Sequence, residues 1–287
     1  MLKVGSRVAV VAPSGVFDPR RLAAGVAMIR DWGLDVVESP NLHSKHRYLA
    51  GSVAERTSDL VWALTTPDVD AVWFARGGYG TIQCLSGLPF EKMDGRPVIG
   101  FSDATALLCA MHCKGVMGGI HGPVLHSLAD LPNQSSIDTL RKLLFDGTSA
   151  LMSGQHLCGP KMKVSGAVIG GNLCVMASLM GTPWSVCAEG SIVVIEDIAE
   201  PAYKIDRMLT QLVLAGAFDG VRGIALGEFR GCAVPSKEWT LNDLFVEVLG
   251  PLGVPVVGGL PIGHGEDNCC WAYGVEGRLS PDGLHVG

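Results

Sequence analysis

The first half of the chain alternates short apolar runs with amphipathic segments, and this alternation limits the fold more than any other feature. Apolar runs that end in small or turn-forming residues occur at RVAVVAPSG, DVVESP, DAVWFARGGYG, RPVIGFSD and MGGIHGPVL. Segments of helical period lie between them, such as RRLAAGVAMIRDWG, in which Leu22, Val26 and Ile29 share one face. This order predicts an α/β domain with a mainly parallel sheet covered on both faces. Ligands of such sheets bind outside the carboxyl ends of the strands.

The pattern changes after about Ser149. Short apolar runs rich in glycine follow, at KVSGAVIGGNL, SIVVIEDI, RGIALGEF and VPVVGGLPIGHG, and one clear helical segment, YKIDRMLTQLVLAG, interrupts them. Short strands with frequent glycines predict a smaller, β-rich and barrel-like second domain. We therefore expect an N-terminal domain over 1–150, a linker over 151–163 and a C-terminal domain over 164–287.

Composition narrows the classes of function. The 287 residues are 48% hydrophobic and 17% charged with a net charge of -6, so a sizeable core is expected. Basic tracts are absent from the sequence, which argues against nucleic acid as a partner. No apolar run approaches the roughly 18 residues of a membrane span. The N-terminal apolar run, Val8 to Ala12, is too short for a secretory signal. The expected location is the cytoplasm.

The cysteines raise one question about metal binding. The nine cysteines include no CxxC pair, and an odd number fits a reducing compartment better than a disulfide framework. Cys109, His112 and Cys113 have the i, i+3, i+4 spacing of one helix face. Three such residues without a fourth nearby in sequence are a weak zinc signal. The sequence favours a packed helix, and we expect no metal.

Ser102 stands where an apolar strand, VIGF, turns into the helical pattern ATALLCAMH. A strand–turn–helix context is what a nucleophile elbow requires, and Gly100 and Ala104 leave room for a tight turn. The segment GFSDA departs from G-x-S-x-G at its fifth position. The alternative is that Ser102 or Asp103 is the N-cap of the helix. The residues alone leave both interpretations open.

A serine nucleophile needs a base and a group that orients the base. His264 is a candidate base because Gly263 and Gly265 flank it at the end of an apolar run, and His121 in GGIHGP is its rival. Acidic residues at the ends of predicted strands are candidate orienting groups: Glu196, Asp197 and Glu228.

The chemistry also needs backbone N–H groups for an oxyanion. The Asp103 N–H is at a predicted helix N-terminus, where the helix dipole favours negative charge. The glycines of ARGGYG permit backbone angles that aim a second N–H outward. The alternative for Gly77 to Gly80 is a plain turn, since the segment matches neither the P-loop nor the dinucleotide fingerprint.

Seven motifs in order resemble the serine LD-carboxypeptidase family, which includes murein tetrapeptide carboxypeptidases and microcin C immunity peptidases. The motifs cover nearly the whole chain: VAVVAPSG, ARGGYG, VIGFSDATALL, GGIHGP, GGNL, IEDIAEPAYKIDRML and LPIGHGEDN. The resemblance implies a flavodoxin-like first domain that carries the nucleophile Ser102. It implies a second domain that carries Glu196 and His264, with substrate in the cleft between the domains. The implied oxyanion hole consists of the N–H groups of Asp103 and Gly78.

The implied activity is that of a carboxypeptidase without metal or cofactor, which removes a C-terminal D-amino acid from an L-configured residue. For the murein branch this is the terminal D-alanine of a tetrapeptide, released in cell-wall recycling. Arg76 is a candidate clamp for the substrate carboxylate, and the alternative is an arginine that ties loops together. Asn172 and Arg207 fall on motif positions that shape the site. The expected partners are a small peptide and a second copy of the chain in a homodimer, with neither nucleic acid nor membrane.

Two alternative functions accompany this one. A microcin-immunity-type peptidase would act on an acyl-sulfamoyl or peptidyl nucleotide, and Trp184 or Trp271 would supply an aromatic contact for the base. A non-enzymatic binder with the same fold would have no use for three triad residues at separate strand ends. One departure from the family concerns substrate preference: residues 271–274 read Trp-Ala-Tyr-Gly where the family often has Leu-Pro-x-Gly.

Overall fold

The computed structural model describes residues 1–131, 133–149, 151–232, 234 and 237–287. The chain divides into two compact units, Met1–Thr148 and Ser149–Gly287. Among the described residues, no helix is both long enough and apolar enough to span a membrane.

The first unit contains a parallel sheet. Its strands are β1 (Arg7–Val11), β2 (Asp35–Glu38), β3 (Ala71–Phe74), β4 (Val98–Gly100) and β5 (Gly119–His121). They lie in the order β2-β1-β3-β4-β5, and each neighbouring pair is parallel. This is the flavodoxin-like order, so the predicted fold of this unit is confirmed. The order reverses between β1 and β3, and the loops after these strands therefore diverge at the edge where such folds bind ligands.

Helices of the first unit follow the predicted alternation. They are α1 (Pro19–Asp31), α2 (Val53–Thr65), α3 (Thr105–Cys113), the one-turn α4 (Leu125–Leu128) and α5 (Gln134–Asp146). The predicted stripe of Leu22, Val26 and Ile29 is buried on α1. At the start of α2, Ser52 and Glu55 form a capping box, in which each side chain bonds the other residue's backbone N–H.

The second unit contains β6 (Met152–Ser153), β7 (Gln155–Cys158), β8 (Val164–Asn172), β9 (Ser191–Ile198), β10 (Gly223–Arg230), β11 (Val256–Gly258), β12 (Trp271–Ala272), β13 (Glu276–Ser280) and β14 (Gly283–Val286). Its helices are α6 (Leu173–Leu179), α7 (Ala202–Leu214) and α8 (Leu241–Leu249). Eight strands form one mixed sheet in the order β6-β14-β13-β8-β9-β10-β11-β7. The central pairs β8–β9, β9–β10 and β10–β11 are parallel.

The second sheet closes on itself like a barrel. Strands β6 and β7 lie at opposite ends of the strand order, yet only Gly154 separates them in sequence. The sheet must therefore curve until its two edges approach each other. A β-carbon on Gly154 would lie 2.9 Å from Val257 Cγ1, so glycine permits the close crossing. The segment 151–163, expected to be a linker, thus contributes two strands to the sheet. Their pairing with β14 and β11 is long-range, and the short segment carries little local pattern of its own.

Strand β9 runs through the core of the second unit. Residues 192 to 196 have no exposed surface, and only Ile198 at the strand end is exposed. A strand buried on both faces reads as a continuous apolar run, as SIVVI does. Glu196 follows that run directly and is therefore held in a rigid, dry environment.

Candidate active site

Ser102 occupies a strained corner between β4 and α3. Residues Ser102–Ala104 form a turn of 3-10 helix that leads directly into α3. Ser102 has φ +60, a left-handed conformation that costs a non-glycine residue about 1–3 kcal/mol. A β-carbon on Gly100 would lie 2.7 Å from Ala104 Cβ, so the corner needs glycine there. A serine held in this conformation between a strand and a helix has the geometry of a nucleophile elbow.

The alternative N-cap interpretation is wrong. In the described residues of this segment, neither Ser102 nor Asp103 makes a side-chain cap hydrogen bond to the helix that follows. The buried Asp103 carboxylate instead accepts hydrogen bonds at Oδ2 from Ser14 Oγ, at 2.5 Å, and from the Thr81 N–H, at 2.9 Å. Its side chain therefore binds the loops after β1 and β3.

The ARGGYG loop lies against the serine. A β-carbon on Gly77 would lie 3.1 Å from both Cβ and Oγ of Ser102. The Gly77 carbonyl accepts a hydrogen bond of 3.2 Å from the Gly15 N–H. The Gly78 N–H belongs to the same trans peptide, so it points away from Gly15. Gly78 has φ +111, which glycine adopts readily. This geometry is compatible with Gly78 as an oxyanion donor, a role that stays a prediction.

His264 and Glu196 form a close pair within the second unit. The Nδ1 atom of His264 lies 2.7 Å from Glu196 Oε2. The Glu196 side chain has no exposed surface, and the His264 side chain is 14% exposed. A buried carboxylate on Nδ1 holds the ring in one orientation and favours a proton on that nitrogen. Nε2 is then the ring nitrogen that can accept a proton during a reaction.

Backbone contacts position the loop that carries His264. Arg230 Nη1 donates a hydrogen bond of 2.8 Å to the His264 carbonyl, and the Gly263 N–H donates one of 3.2 Å to Asn268 Oδ1. Gly263 has φ +123, and a β-carbon there would lie 2.7 Å from Glu196 Oε2. Glycine at this position therefore lets the histidine reach the buried carboxylate.

Of the three candidate orienting acids, Glu196 is the one that bonds His264. The Asp197 carboxylate accepts hydrogen bonds from the Cys174 N–H, at 3.0 Å, from Asn172 Nδ2 and from the Ile198 N–H. Burial raises the pKa of Asp197. The Glu228 carboxylate lies against Gly265, where a β-carbon would lie 1.6 Å from Oε2. Burial is also the main cause that raises the pKa of Glu228.

Asn172 connects the two neighbouring carboxylates of β9. Its Nδ2 donates to Glu196 Oε1, at 3.3 Å, and to Asp197 Oδ1, at 3.0 Å. Its Oδ1 accepts from the Val175 N–H and so caps α6. The expectation that Asn172 shapes the site agrees with these contacts, while contact with substrate stays a prediction.

The other predicted residues have the following environments. His121, the rival base, is fully buried, with its ring 6.1 Å from that of Phe101 in an edge-on arrangement. The exposed Arg76 donates through Nη1 to the Val16 carbonyl, so it ties two loops together, and its role as a clamp stays a prediction. Arg207 lies over the Tyr203 ring at 5.3 Å.

Among the described residues, no group of three or more His, Cys, Asp or Glu side chains is arranged to hold a metal ion.

Sequence reasoning considered the Asp103 side chain only as an N-cap, and it missed Arg56, which holds the same loops. Arg56 lies on α2 and is 1% exposed. The buried positions of α2 include Leu60 and Ala63, four and seven residues after Arg56. A charged residue in the apolar stripe of a helix is therefore the signal that would have identified it.

The sequence matches the LD-carboxypeptidase N-terminal domain over residues 8–122 and the LD-carboxypeptidase C-terminal domain over residues 165–279. A murein tetrapeptide carboxypeptidase of Pseudomonas aeruginosa is 37% identical over 293 residues, which cover 98% of this chain and 95% of the relative. The microcin C7 self-immunity protein MccF of Escherichia coli is 24% identical over 308 residues, which cover 96% of this chain and 90% of that protein.

Solved structures show the same fold. The crystal structure of a muramoyltetrapeptide carboxypeptidase from Oxalobacter formigenes has a TM-score of 0.88 at 28% identity and covers 98% of this chain and 99% of its own. A structure of MccF with glutamyl sulfamoyl guanosine has a TM-score of 0.90 at 22% identity, covering 100% of this chain and 97% of that one. With both domain matches, and with a relative above one third identity over almost the full length, the chain belongs to the LD-carboxypeptidase family.

Proposed function

We propose that this protein is a serine LD-carboxypeptidase that removes the C-terminal D-alanine of a murein tetrapeptide, using Ser102, His264 and Glu196 as a triad. The observation that carries the proposal is the φ of +60 at Ser102, because a serine held in this conformation between a strand and a helix suits attack on a carbonyl. The His264–Glu196 pair at 2.7 Å supplies the base and the group that orients it.

The proposed reaction has two halves. Ser102 Oγ attacks the carbonyl carbon of the scissile amide while His264 Nε2 accepts the hydroxyl proton. The oxyanion accepts hydrogen bonds from the N–H groups of Asp103 and Gly78. The tetrahedral intermediate then expels the D-alanine amine, which takes the proton from His264. Water attacks the acyl-enzyme with His264 again as base, and the proton returns to Ser102 as the shortened peptide leaves with a new carboxylate.

Glu196 contributes through charge and orientation. Its buried carboxylate, 2.7 Å from His264 Nδ1, stabilises the imidazolium that forms in each half of the reaction. A charge-assisted hydrogen bond of this kind is about twice as strong as a neutral one. Glu196 therefore acts as a positioning residue for the His264 ring and as the counter-charge of the imidazolium.

The murein tetrapeptide is the favoured substrate because the relative at 37% identity and the structure at 28% identity are both named for that activity. The microcin-immunity alternative is less favoured, since its named representative is 24% identical. Trp271, one of the two aromatic residues expected to contact a base, is fully buried and stacked on Tyr273 at 5.2 Å, whereas Trp184 is half-buried. A homodimer in the cytoplasm remains part of the proposal.

The test is release of free D-alanine from murein tetrapeptide, followed by mass spectrometry. A peptidyl sulfamoyl nucleotide is the competing substrate, and faster hydrolysis of the nucleotide would favour the alternative. We expect turnover of the tetrapeptide and the same rate with a chelator present. A chelator-sensitive rate would contradict the serine mechanism.

Specificity for the terminal carboxylate tests the carboxypeptidase assignment separately. Loss of a charge-assisted contact costs about 2–4 kcal/mol, so a tetrapeptide ending in D-alanine amide should have a kcat/KM roughly 30- to 1000-fold lower. Arg76→Ala should erase most of this preference if Arg76 is the clamp. Equal turnover of the acid and the amide would refute the assignment, whereas a preference that survives Arg76→Ala would refute only the clamp.

A further inference from the structure

One peptide group in the ARGGYG loop is held by buried charges of opposite sign at its two ends. The Gly80 carbonyl accepts a hydrogen bond of 2.8 Å from Arg56 Nη1. The Thr81 N–H, on the same peptide, donates one of 2.9 Å to Asp103 Oδ2. Arg56 is 1% exposed and Asp103 is 3% exposed. The cation binds the negative end of the peptide dipole and the anion binds the positive end.

The same two charges hold the loop after β1. Arg56 Nη1 donates a hydrogen bond of 2.5 Å to the Pro13 carbonyl, and Ser14 Oγ donates one of 2.5 Å to Asp103 Oδ2. The hydroxyls of Ser14 and Thr81 lie 3.1 Å apart. The loops after β1 and β3, which diverge at the reversal of the strand order, are thus joined by one arginine and one aspartate.

The sequence is adapted to this arrangement at Gly80. Gly80 has φ +139, and a β-carbon there would lie 2.7 Å from Arg56 Nη1 and 3.0 Å from the Pro13 carbonyl oxygen. The guanidinium also donates to the Gly51 carbonyl, at 3.1 Å, and to Gln83 Oε1, at 2.6 Å. Burying a charge is unfavourable unless its hydrogen bonds are made, so these contacts compensate for its burial and restrict its movement.

The held loops lie directly beside the serine. Asp103 follows Ser102 in the chain, and Gly77 of the same ARGGYG loop packs against the Ser102 side chain. The carboxylate of Asp103 therefore ties the residue whose own N–H is one proposed oxyanion donor to the loop that contains the other, Gly78. Arg56 holds that loop from the opposite side.

We propose that Arg56 and the Asp103 carboxylate are positioning residues, which set the separation between the two oxyanion donors at Asp103 N and Gly78 N. This role rests on the proposed function, because it presumes that Ser102 is the nucleophile. It deepens that proposal by naming what holds the oxyanion hole in shape before substrate binds. None of the described hydrogen bonds of either side chain goes to Ser102.

The expected effect is on kcat, because oxyanion donors act on charge that develops in the transition state. Misplacement by about 1 Å costs on the order of 100-fold. Asp103→Asn removes the charge: both described donors, Ser14 Oγ and the Thr81 N–H, bond Oδ2, and they then meet a neutral amide group in place of the carboxylate. Arg56→Lys keeps the charge but lacks the planar fork that reaches several carbonyls. Each variant should lower kcat about 10- to 100-fold and change KM by less than about threefold.

The same unit offers matched controls. Asp59 is 4% exposed and accepts from Ser39 Oγ, at 2.7 Å, and from the Asn41 N–H, in a contact chemically like that of Asp103. Arg96 donates to the carbonyls of Ala63, at 3.0 Å, and Thr66, at 2.7 Å. Asp59→Asn and Arg96→Lys should lower the Tm by a similar amount and leave kcat within about twofold of wild type.

A milder variant serves if the buried charges are needed for folding. Ser14→Ala removes one hydrogen bond to Asp103 and leaves both charges in place. It should fold and should lower kcat by several-fold, with KM unchanged.

The deciding assay is the rate at which a fluorophosphonate probe labels Ser102, measured on the full chain by mass spectrometry beside kcat and KM for the tetrapeptide. In labelling, Ser102 Oγ bonds to phosphorus, fluoride leaves, and the hydroxyl proton passes to the base. The probe needs the oxyanion hole but no particular peptide. Slower labelling of the folded Arg56→Lys, Asp103→Asn and Ser14→Ala variants, with both controls at the wild-type rate, would support the role.

Two other results have distinct meanings. Wild-type rates of labelling and turnover in the folded variants would overturn the positioning role and leave the proposed function intact. The absence of labelling at Ser102 in the wild-type protein would overturn the proposed function, and the positioning role with it.

Discussion

Replacing Glu196 by glutamine tests the histidine–carboxylate pair with almost no change in side-chain volume. In the site, His264 Nδ1 lies 2.7 Å from Oε2, and Asn172 Nδ2 donates to Oε1 at 3.3 Å. Both oxygens therefore face a nitrogen donor. A glutamine has one oxygen and one NH2 group, so either orientation of its amide turns the NH2 toward one of these two nitrogens.

The two orientations fail in different ways. If the NH2 faces Asn172, two donors meet and the charge that stabilises the imidazolium is lost. If the NH2 faces His264, Nδ1 must accept, so the proton moves to Nε2 and the ring can no longer act as the base. Loss of the correct tautomer in a serine triad costs about 10⁴-fold in kcat. We expect Glu196→Gln to lower kcat about 10³- to 10⁴-fold, which corresponds to roughly 4–5.5 kcal/mol, with little change in KM.

The assay is D-alanine release under saturating substrate, with thermal denaturation as the check of folding. Asp197→Asn is the matched control: Asp197 is 2% exposed on the same strand and shares Asn172, and its described hydrogen bonds go to Asn172, Cys174 and Ile198. It should lose less than about tenfold in kcat. If a folded Glu196→Gln protein keeps a kcat within about tenfold of wild type, Glu196 does not orient the base and the proposed triad is wrong.

Three further predictions follow from the site. Ser102→Gly and Ser102→Ala should both abolish hydrolysis, and the glycine variant should be about 1 kcal/mol more stable because it adopts φ +60 without strain; equal Tm values would contradict that strain. His264→Ala should reduce kcat nearly as much as the serine variants do. His121→Ala should mainly lower the Tm, because it empties a fully buried site, and a larger loss of kcat from His121→Ala than from His264→Ala would make His121 the base. Burial raises the pKa of Asp197 above 3.8, so the native state binds this proton more tightly than the unfolded state does. As the pH falls from neutral toward 3.8, the free energy of unfolding of the wild type should therefore rise relative to that of Asp197→Asn. A fall in this relative stability, measured by thermal denaturation, would contradict the shift.

Features that depend on local pattern could be predicted from the sequence. The parallel sheet of the first unit follows from short continuous apolar runs that alternate with segments of helical period, and both patterns are set by residues close together in the chain. The corner at Ser102 was visible as an apolar strand that changes into a helical pattern. The family follows from motifs whose order along the chain carries the information. None of these requires knowledge of which distant segments touch.

The choice among equivalent side chains required the tertiary structure. Glu196 and Asp197 are adjacent at the end of β9, and Asn172 Nδ2 bonds both carboxylates. Which of them meets His264 depends on a loop 68 residues further along the chain, so the residues alone could not distinguish the two acids. The residues 151–163 likewise became strands only through pairing with β11 and β14.

The buried charges show most clearly which features the sequence determines and which only the tertiary structure decides. From the sequence alone, Arg56 and Asp103 are 47 residues apart, and charged residues are usually solvated. Burial is tolerated here because the fold brings the loops after β1 and β3 between them and satisfies both charges with backbone groups. The sequence by itself determined the secondary-structure pattern, the family and the strand-to-helix corner at Ser102, because these depend on residues close together in the chain. Tertiary structure decided which carboxylate bonds the histidine and which buried charges hold the loop beside the serine, because those contacts form only when the loops pack.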